Sequence, residues 1–568
     1  MRIPELVRPY IEADVIAETD AVAVNLLVEV GQRDTARAGE RCDPSLVAWV
    51  AMCLAVRTPR DRHTCVDLER AHEWAGDIDF AAADHPAWPA TAAGWIAELG
   101  TVQRLVGAPR DRKPFILDGT RLYLARSLAE EEEIARVIRG DTGVAVRILL
   151  GGPGTGKTTT VAADLASRFA QPGPPPRLAL AAPTAKAAAR MTDVLRSRCA
   201  DERALAELGV TVDAGVRQAL REAVDKAPAT TIHKLLGASP HAERLFEFGP
   251  RNHLPFNLVI VDECSMVAST MMHRLLTALA PASEIRLVGD PDQLVSVEAG
   301  SVLADIRDVA LRAGWEATER ALTLTEQRRF QDAAEIAQLA AAIRDGRADD
   351  AIQALATARR HVHWVREGGG ASVAAVADQV VREAREMCDA AQHAAPDLLA
   401  RKERIQVLCA NREGGIGVSG WNRRIESGIG PRARAAWYAG RPVMVTRNSR
   451  ALGLANGDVG VVVPGSGERM EAVFGADDRP VRVPVTRLEH VATVHAMTIH
   501  KSQGSEYDHA VVVLPDRQSR LLTRELLYTA VTRARNEVTV IGSEEVIRAA
   551  VGRPIRRATG LAERLVRG

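Results

Sequence analysis

The sequence predicts an α/β protein with two parallel-sheet domains, an α-rich domain in front of them and two small β insertions. From about residue 144 onward, short apolar segments alternate with helical stretches, the pattern of a parallel sheet covered on both faces. The alternation runs twice, and in its second run residues 441–494 replace helical periodicity with Val, Gly and turn signals. At 568 residues the chain is several cores long, given ~150 residues per domain.

Taken in order, residues 1–110 read as an α-rich unit holding four of the eight tryptophans, Trp49, Trp74, Trp88 and Trp95. Residues 111–320 form the first sheet domain, with strands expected at VRILL (146–150), LALAA (178–182), LVIVD (258–262) and IRLVG (285–289). A protruding β-hairpin is expected within it at 237–257, from the RLFEF, GPRN and HLPF segments. Residues 321–440 and 495–568 form the second sheet domain, with strands at LTLT (322–325), HVHWV (361–365), IQVLCA (405–410), HAVVVL (509–514) and EVTVIG (537–542). Between its halves, 441–494 reads as a small β-barrel, with turns at NGD (456–458) and PGSGE (464–468).

Composition excludes several classes. Lys plus Arg and Asp plus Glu both total 73, so a nucleic-acid groove, if present, is a local basic strip. The longest apolar run, Leu46 to Val56, is 11 residues, short of the ~18–20 that cross a bilayer. The first residues carry acids and a proline where a secretory leader needs an apolar core, so a cytoplasmic location is expected. Seven cysteines without a CxxC pair imply reduced, mostly buried thiols and no zinc or iron–sulfur framework. There are only 7 lysines against 66 arginines, and Lys157, Lys186, Lys234 and Lys501 fall within motifs, where a compact ammonium differs from a planar guanidinium.

The chemistry begins where strand VRILL meets Gly151, Gly152, Pro153, Gly154, Thr155, Gly156, Lys157 and Thr158, a complete GxxxxGK[ST] loop followed by a helix that Thr159 continues. Such a loop curls backbone N–H groups around phosphates, while the helix N-terminus adds a positive field. Lys157 then reaches the outer phosphates of ATP, and Thr158 offers its hydroxyl to Mg²⁺. A metal-holding acid is expected at the end of a neighbouring buried strand. Asp262 fills that place, and Glu263 beside it is suited to orient and polarise the attacking water. Gln293, in GDPDQ after the next strand, lies at the same sheet edge and can sense the γ-phosphate. Arg329 and Arg533, from the second sheet domain, are candidates to reach across as fingers on the leaving phosphate.

The ordered set GGPGTGKT (151–158), APTAKAAAR (182–190), TIHKLLG (231–237), VDECSM (261–266), GDPDQLVSVEAG (289–300), LTEQRRF (324–330), AMTIHKSQGSEYD (496–508) and LLYTAVTRAR (526–535) resembles the superfamily 1 helicases. Within them, LCANREGGIGVSGWN (408–422) and RPVMVTRNSRALGLANGDVG (441–460) resemble the RecD branch, the α subunits of exodeoxyribonuclease V. The resemblance spans roughly residues 118–550. It implies two RecA-like domains that close on ATP and Mg²⁺ and travel 5′ to 3′ on single-stranded DNA. It also implies an SH3-like barrel at 441–494, and RecB-like and RecC-like partners that act with this chain on duplex ends in repair by homologous recombination. Pro183, Thr184, His233, Thr498 and His500 take strand-facing places, and Gly504 with Glu506 couples nucleotide cleft to DNA groove. Where relatives often carry an aromatic before the motif IV arginine, this chain has Arg328, whose guanidinium plane is suited to stack on adenine. No cluster of Asp, Glu and Lys outside the ATPase motifs resembles a nuclease, so DNA cleavage is assigned to a partner. An RNA helicase and a structural subunit with a vestigial ATPase are the alternatives. The RecD-like segment argues against the first, and the intact Lys157, Thr158, Asp262, Glu263, Gln293 and Arg533 against the second.

Overall fold

The structure is a computed structural model that describes residues 5–35, 43–75, 88–206, 210, 213–239, 245–296, 298–312, 314–315, 320–325, 333–366, 372–393, 395–467, 469–476, 479–517, 519 and 521–567. Among them, the first large sheet is six-stranded and wholly parallel. Its order is Ala321–Leu324, Ala145–Gly151, Glu284–Gly289, Leu258–Val261, Leu178–Ala182 and Thr230–Thr231. Its central strands are near-continuous apolar runs because both faces are covered. Alternation divides them cleanly: Val259 and Val261 pack on one face with Met272 and Leu275, and Leu258 and Ile260 on the other with Leu165 and Leu195.

The second sheet is also parallel, in the order Val362–Val365, Ala534–Ile541, Tyr507–Val513, Ile405–Cys409 and Ala496–Thr498. Val512 and Val540 face one core and Val511 and Val513 the other, again by the two-residue period. Along the chain between Ile405–Cys409 and Ala496–Thr498 lies a five-stranded antiparallel sheet of the described residues from Pro442 to Thr493, with Val443, Val445, Val462 and Phe474 in its core.

Three expectations need correction. The segment expected to open the second domain, LTLT, instead runs parallel to the phosphate-loop strand in the first sheet, where Ala321 and Leu324 pair with Ile148 and Gly151. Residues 237–257 form no two-stranded ladder among the described residues. Only isolated bridges, Ala238 to Phe246 and Gly249 to Asn252, tie the segment together, and residues 240–244 lie outside the description. The N-terminal unit is α-rich, as expected, but it carries a sheet and does not end at 110. Helices Glu18–Thr35, Leu46–Arg57 and Ala92–Leu99 pack against a four-stranded sheet that runs on to Arg121–Leu124. Trp49 and Trp95 are buried in that core, with Trp88 edge-on to Trp95 at 4.9 Å. Among the described residues the cysteines are free and buried.

The chain end also leaves the second sheet. Helix Leu561–Val566 inserts Leu561 and Leu565 into the first sheet's core. A buried carboxylate pins it there: Glu131 accepts from Thr64, from Tyr123 Oη at 3.2 Å, from Thr559 Oγ1 at 2.9 Å and from the Gly560 amide at 3.2 Å. Only glycine fits at 560, because a Cβ there would lie 2.2 Å from the Tyr123 hydroxyl. One side chain thus joins the N-terminal unit, the first sheet domain and the C-terminal tail. Glu131→Ala is expected to lower stability by about 3 kcal/mol, since it orphans several buried donors at once, and the measurement is the unfolding midpoint of the full chain.

Candidate nucleotide cleft between the two sheets

The phosphate loop is built by its glycines. Gly154 and Gly156 sit at φ 75° and 88°, in the left-handed region. A Cβ on Gly151 would stand 2.6 Å from Thr155 Oγ1 and 3.1 Å from the Leu324 carbonyl. Thr155 Oγ1 closes the loop by donating to the Gly152 carbonyl at 2.9 Å. Helix Lys157–Phe169 then starts without a side-chain cap, which leaves its first N–H groups for an anion. Lys157 Nζ rests on the Gly151 and Gly152 carbonyls at 2.7 and 2.9 Å.

The loop opens into a cleft of about 510 Å³ whose walls come from both sheets. From the first come Pro153, Gly154, Gly156, Lys157, Thr158, Thr159, Asp262, Glu263 and Gln293, and from the second Gly504, Glu506 and Arg533. Gly151, Gly152 and Thr155 complete the loop behind them. Burial and the neighbouring Glu263 push the Asp262 carboxyl up to about 6, against the pull of Lys157. Glu263 itself holds a left-handed backbone at φ 54°, the kind of outlier that gathers at functional sites. A glycine cradle with a threonine hydroxyl and a carboxylate at its mouth has the donor set for a triphosphate and a hard divalent cation.

A chain of buried hydrogen bonds crosses this cleft. Asp290, raised to about 6 chiefly by burial, accepts from Gln293 Nε2 at 3.0 Å and from Tyr528 Oη at 3.2 Å. Gln293 is thereby oriented so that its Oε1 accepts from Arg533 Nη2 at 2.7 Å. Arg533 is fully committed, donating also to the Thr529 and Ser505 carbonyls at 3.1 and 3.2 Å. Beside it, Arg190 of the first sheet domain pairs with Glu506 and reaches the Gly504 carbonyl at 3.5 Å. Gly504 takes φ 72°. Leu294 links the same two halves, its N–H donating to Thr529 Oγ1 and its carbonyl accepting from Gln503, both at 2.9 Å.

The strand-facing candidates fall elsewhere, at the carboxyl ends of an edge strand of each sheet and of the strand beside the first of them. Pro183 and Thr184 follow Leu178–Ala182, and Thr184 Oγ1 caps the next helix by accepting from the Ala187 amide at 3.2 Å. His233 follows the adjacent Thr230–Thr231, its ring 6.1 Å from that of Phe246. Thr498 ends and His500 follows Ala496–Thr498, an edge strand of the second sheet. These five share the carboxyl-end edges of their sheets with the nucleotide residues but do not line the cleft. Arg328 and Arg329 lie outside the described residues.

Sequence reasoning passed over Arg190, Asp290, Tyr528 and Thr529. Each lies inside a quoted motif, and the i, i+4 spacing of Thr529 to Arg533 was a usable signal. What it lacked was the facing residue on the other sheet.

The relay has measurable consequences. Tyr528→Phe is expected to lower kcat for nucleotide hydrolysis about fivefold at unchanged KM, the loss of one ~1 kcal/mol hydrogen bond that positions Gln293. Asp290 Oδ1 accepts from the Asp292 amide at 3.0 Å and Oδ2 from Gln293 and Tyr528, so both oxygens are engaged as acceptors and a proton on either breaks part of this set. Its raised pKa therefore places the loss on the acid side, with kcat falling as pH drops through about 6. A cation at Asp262 lowers that carboxyl out of the same range. Asp290→Asn should be slower at every pH and lose this acid limb in a pH–rate profile.

Comparison with known proteins agrees along the chain. Residues 12–123 match the model of the N-terminal domain of RecBCD enzyme subunit RecD, 132–367 an AAA domain, and 493–541 a UvrD-like helicase C-terminal domain. RecBCD enzyme subunit RecD of Mycolicibacterium smegmatis is 40% identical over 95% of this chain and 96% of its own length. Its counterpart in Mycobacterium tuberculosis is 38% identical over 99% of this chain and 96% of its own length. The ATP-dependent RecD2 DNA helicase of Deinococcus radiodurans is 31% identical over 76% of this chain and 52% of its own length. With a full-length relative at 40% identity and the phosphate loop, acids and arginine brought into one cleft, the chain belongs to the RecD family of RecBCD enzyme subunits.

Proposed function

We propose that this chain is the ATP-dependent helicase motor of a RecBCD-type complex, turning hydrolysis between its two sheets into 5′-to-3′ movement along single-stranded DNA. The observation that carries the reading is the Gln293–Arg533 hydrogen bond, because it joins a γ-phosphate-side residue of one sheet to a finger arginine of the other. In this scheme the loop from Gly151 to Thr159 holds the phosphates and Lys157 neutralises the outer ones. Thr158 and Asp262 hold Mg²⁺, which when bound supplies positive charge to the phosphate oxygens. Glu263 orients the water and takes its proton. Arg533 exchanges Gln293 for the leaving phosphate and draws the second sheet with it. Arg329 is assigned as a second finger and Arg328 as the plane on which adenine stacks.

Gly504 and Glu506, tied to Arg190, carry that movement to the strand. Pro183, Thr184 and His233 form one wall of the groove and Thr498 and His500 the other, gripping phosphates and bases without reading sequence. The domain assignment follows from this scheme. The two sheet domains are the RecA-like motor, the N-terminal unit docks to a RecB-like or RecC-like subunit, the 237–257 segment parts the duplex, and the 441–494 insertion, read as an SH3-like barrel, guides a strand. DNA cleavage belongs to a partner, and the complex works in the cytoplasm; no described helix is long and apolar enough to cross a membrane.

The test is strand separation on duplexes with 5′ or 3′ single-stranded tails, with and without RecB-like and RecC-like subunits. Opening of 5′-tailed substrates alone, with hydrolysis stimulated by DNA over RNA, is the expected outcome. Equal use of both tails removes the polarity, and preference for RNA removes the substrate. Lys157→Gln is expected to lower hydrolysis at least about a hundredfold, the scale of losing a charge-stabilising donor.

A further inference from the structure

We propose that the N-terminal unit forms a third wall of the strand groove, with Arg62 contacting a phosphate of single-stranded DNA. The inference rests on the reading of His500 as strand-facing.

Arg62 ends a tight turn after helix Leu46–Arg57, where the His63 amide donates to the Thr58 carbonyl at 2.8 Å. It is held at φ 70°, a left-handed backbone that a long side chain rarely adopts. Its carbonyl is fixed by the Gly300 amide at 3.1 Å. The neighbouring arginines have acids: Arg57 pairs with Asp61 at 2.6 Å, and Arg60 pairs with Asp20. Arg62 has no ion pair or side-chain hydrogen bond among the described residues. A strained backbone thus presents an uncompensated guanidinium.

What it faces follows from the loop that holds it. The Leu294 carbonyl accepts from Gln503 and, six residues on, the Gly300 amide donates to the Arg62 carbonyl, so the N-terminal turn and the segment carrying His500 are tied to the same stretch of chain. Arg557 is anchored to the same loop through the carbonyls of Ser296, Glu298 and Gly300. The charges gathered there are alike. After burial, Arg62 is the group that depresses the His500 imidazole, and it also lowers Arg557, where Asp305 and Glu525 partly oppose it. Next to His500, Lys501 is lowered by burial and then by Arg412. Among the described residues no carboxylate acts on His500 or Lys501. Arg62 and Lys501, cations that no described carboxylate pairs, are held beside like charge until a polyanion lies across them, and a nucleic-acid backbone supplies one charge per nucleotide. An acidic protein surface would also satisfy them. A strand is favoured because the row continues Thr498–Lys501, a wall already assigned to the groove.

The experiment measures binding of the full chain to a labelled oligothymidylate across a salt series. Arg62→Asn removes the charge and tolerates the left-handed backbone, Arg62→Lys keeps a cation, and His500→Ala is the reference for the groove. Arg62→Asn is expected to weaken binding about fivefold near 0.1 M salt and to reduce the log–log salt slope by ~0.7, with recovery in Arg62→Lys. A partly unfolded preparation lowers the active fraction without changing the slope, so the slope isolates the phosphate contact. Unchanged affinity and slope in Arg62→Asn, with weakened binding in His500→Ala, overturns the inference and leaves the motor reading intact. If neither variant weakens binding, the groove assignment itself falls. If Arg62→Asn binds the strand normally but no longer assembles with the RecB-like and RecC-like subunits, the arginine faces a protein and the inference is overturned.

Discussion

The cleft depends on charged groups held out of water between two sheets. Asp262 and Asp290 end adjacent strands of one sheet, and burial raises both carboxyls far above their ordinary range. Such acids are costly to ionise in place, and each stays useful only because a cation or a donor is aimed at it. Lys157 acts electrostatically on both, while Tyr528 and Gln293 donate to Asp290. The donors come from both sheets, so the electrostatic state of the cleft and the relative position of the sheets are one variable. That coupling is what a motor needs, and it arises from where polar groups find partners.

The two halves are joined unequally to the rest. The N-terminal unit and the C-terminal tail converge on Glu131, and the tail also enters the first sheet's apolar core, a junction that opens only by orphaning buried donors. Across the cleft the ties are mostly polar, Gln293 to Arg533, Asp290 to Tyr528, Leu294 to Thr529 and Gln503, and Arg190 to Glu506, with the Leu294 side chain also buried in the second sheet's core. Polar ties of this kind exchange for water or phosphate with a small net change, whereas apolar cores do not. The N-terminal unit is thus tied to the first sheet domain through buried donors on one carboxylate, a firmer junction than the mostly polar one across the cleft.

Much of this was legible from sequence because local chemistry dictates it. Gly154 and Gly156 must be glycines to turn the loop, and buried parallel strands must be unbroken apolar runs, so the phosphate loop and most strands announce themselves. Errors arose where register and partner choice decide. LTLT is a sound strand by composition, yet its pairing with Ala145–Gly151 is set by what lies beside it in space. The 237–257 segment has the residues of a hairpin but only isolated bridges. Tail residues 558–565 pack on the first sheet because Glu131 and Tyr123, far away along the chain, receive them there.

By itself, then, the sequence determined the loop that takes phosphate, the acids at neighbouring strand ends and the order of the family's motifs, since each is a run of contiguous residues with a local physical requirement. The tertiary structure alone decided that Tyr528 holds Asp290, that Gln293 meets Arg533, and that the Gly300 amide meets the Arg62 carbonyl of the N-terminal unit. Those are meetings of distant segments, and no local preference specifies which buried donor or charge will face another once the sheets have packed.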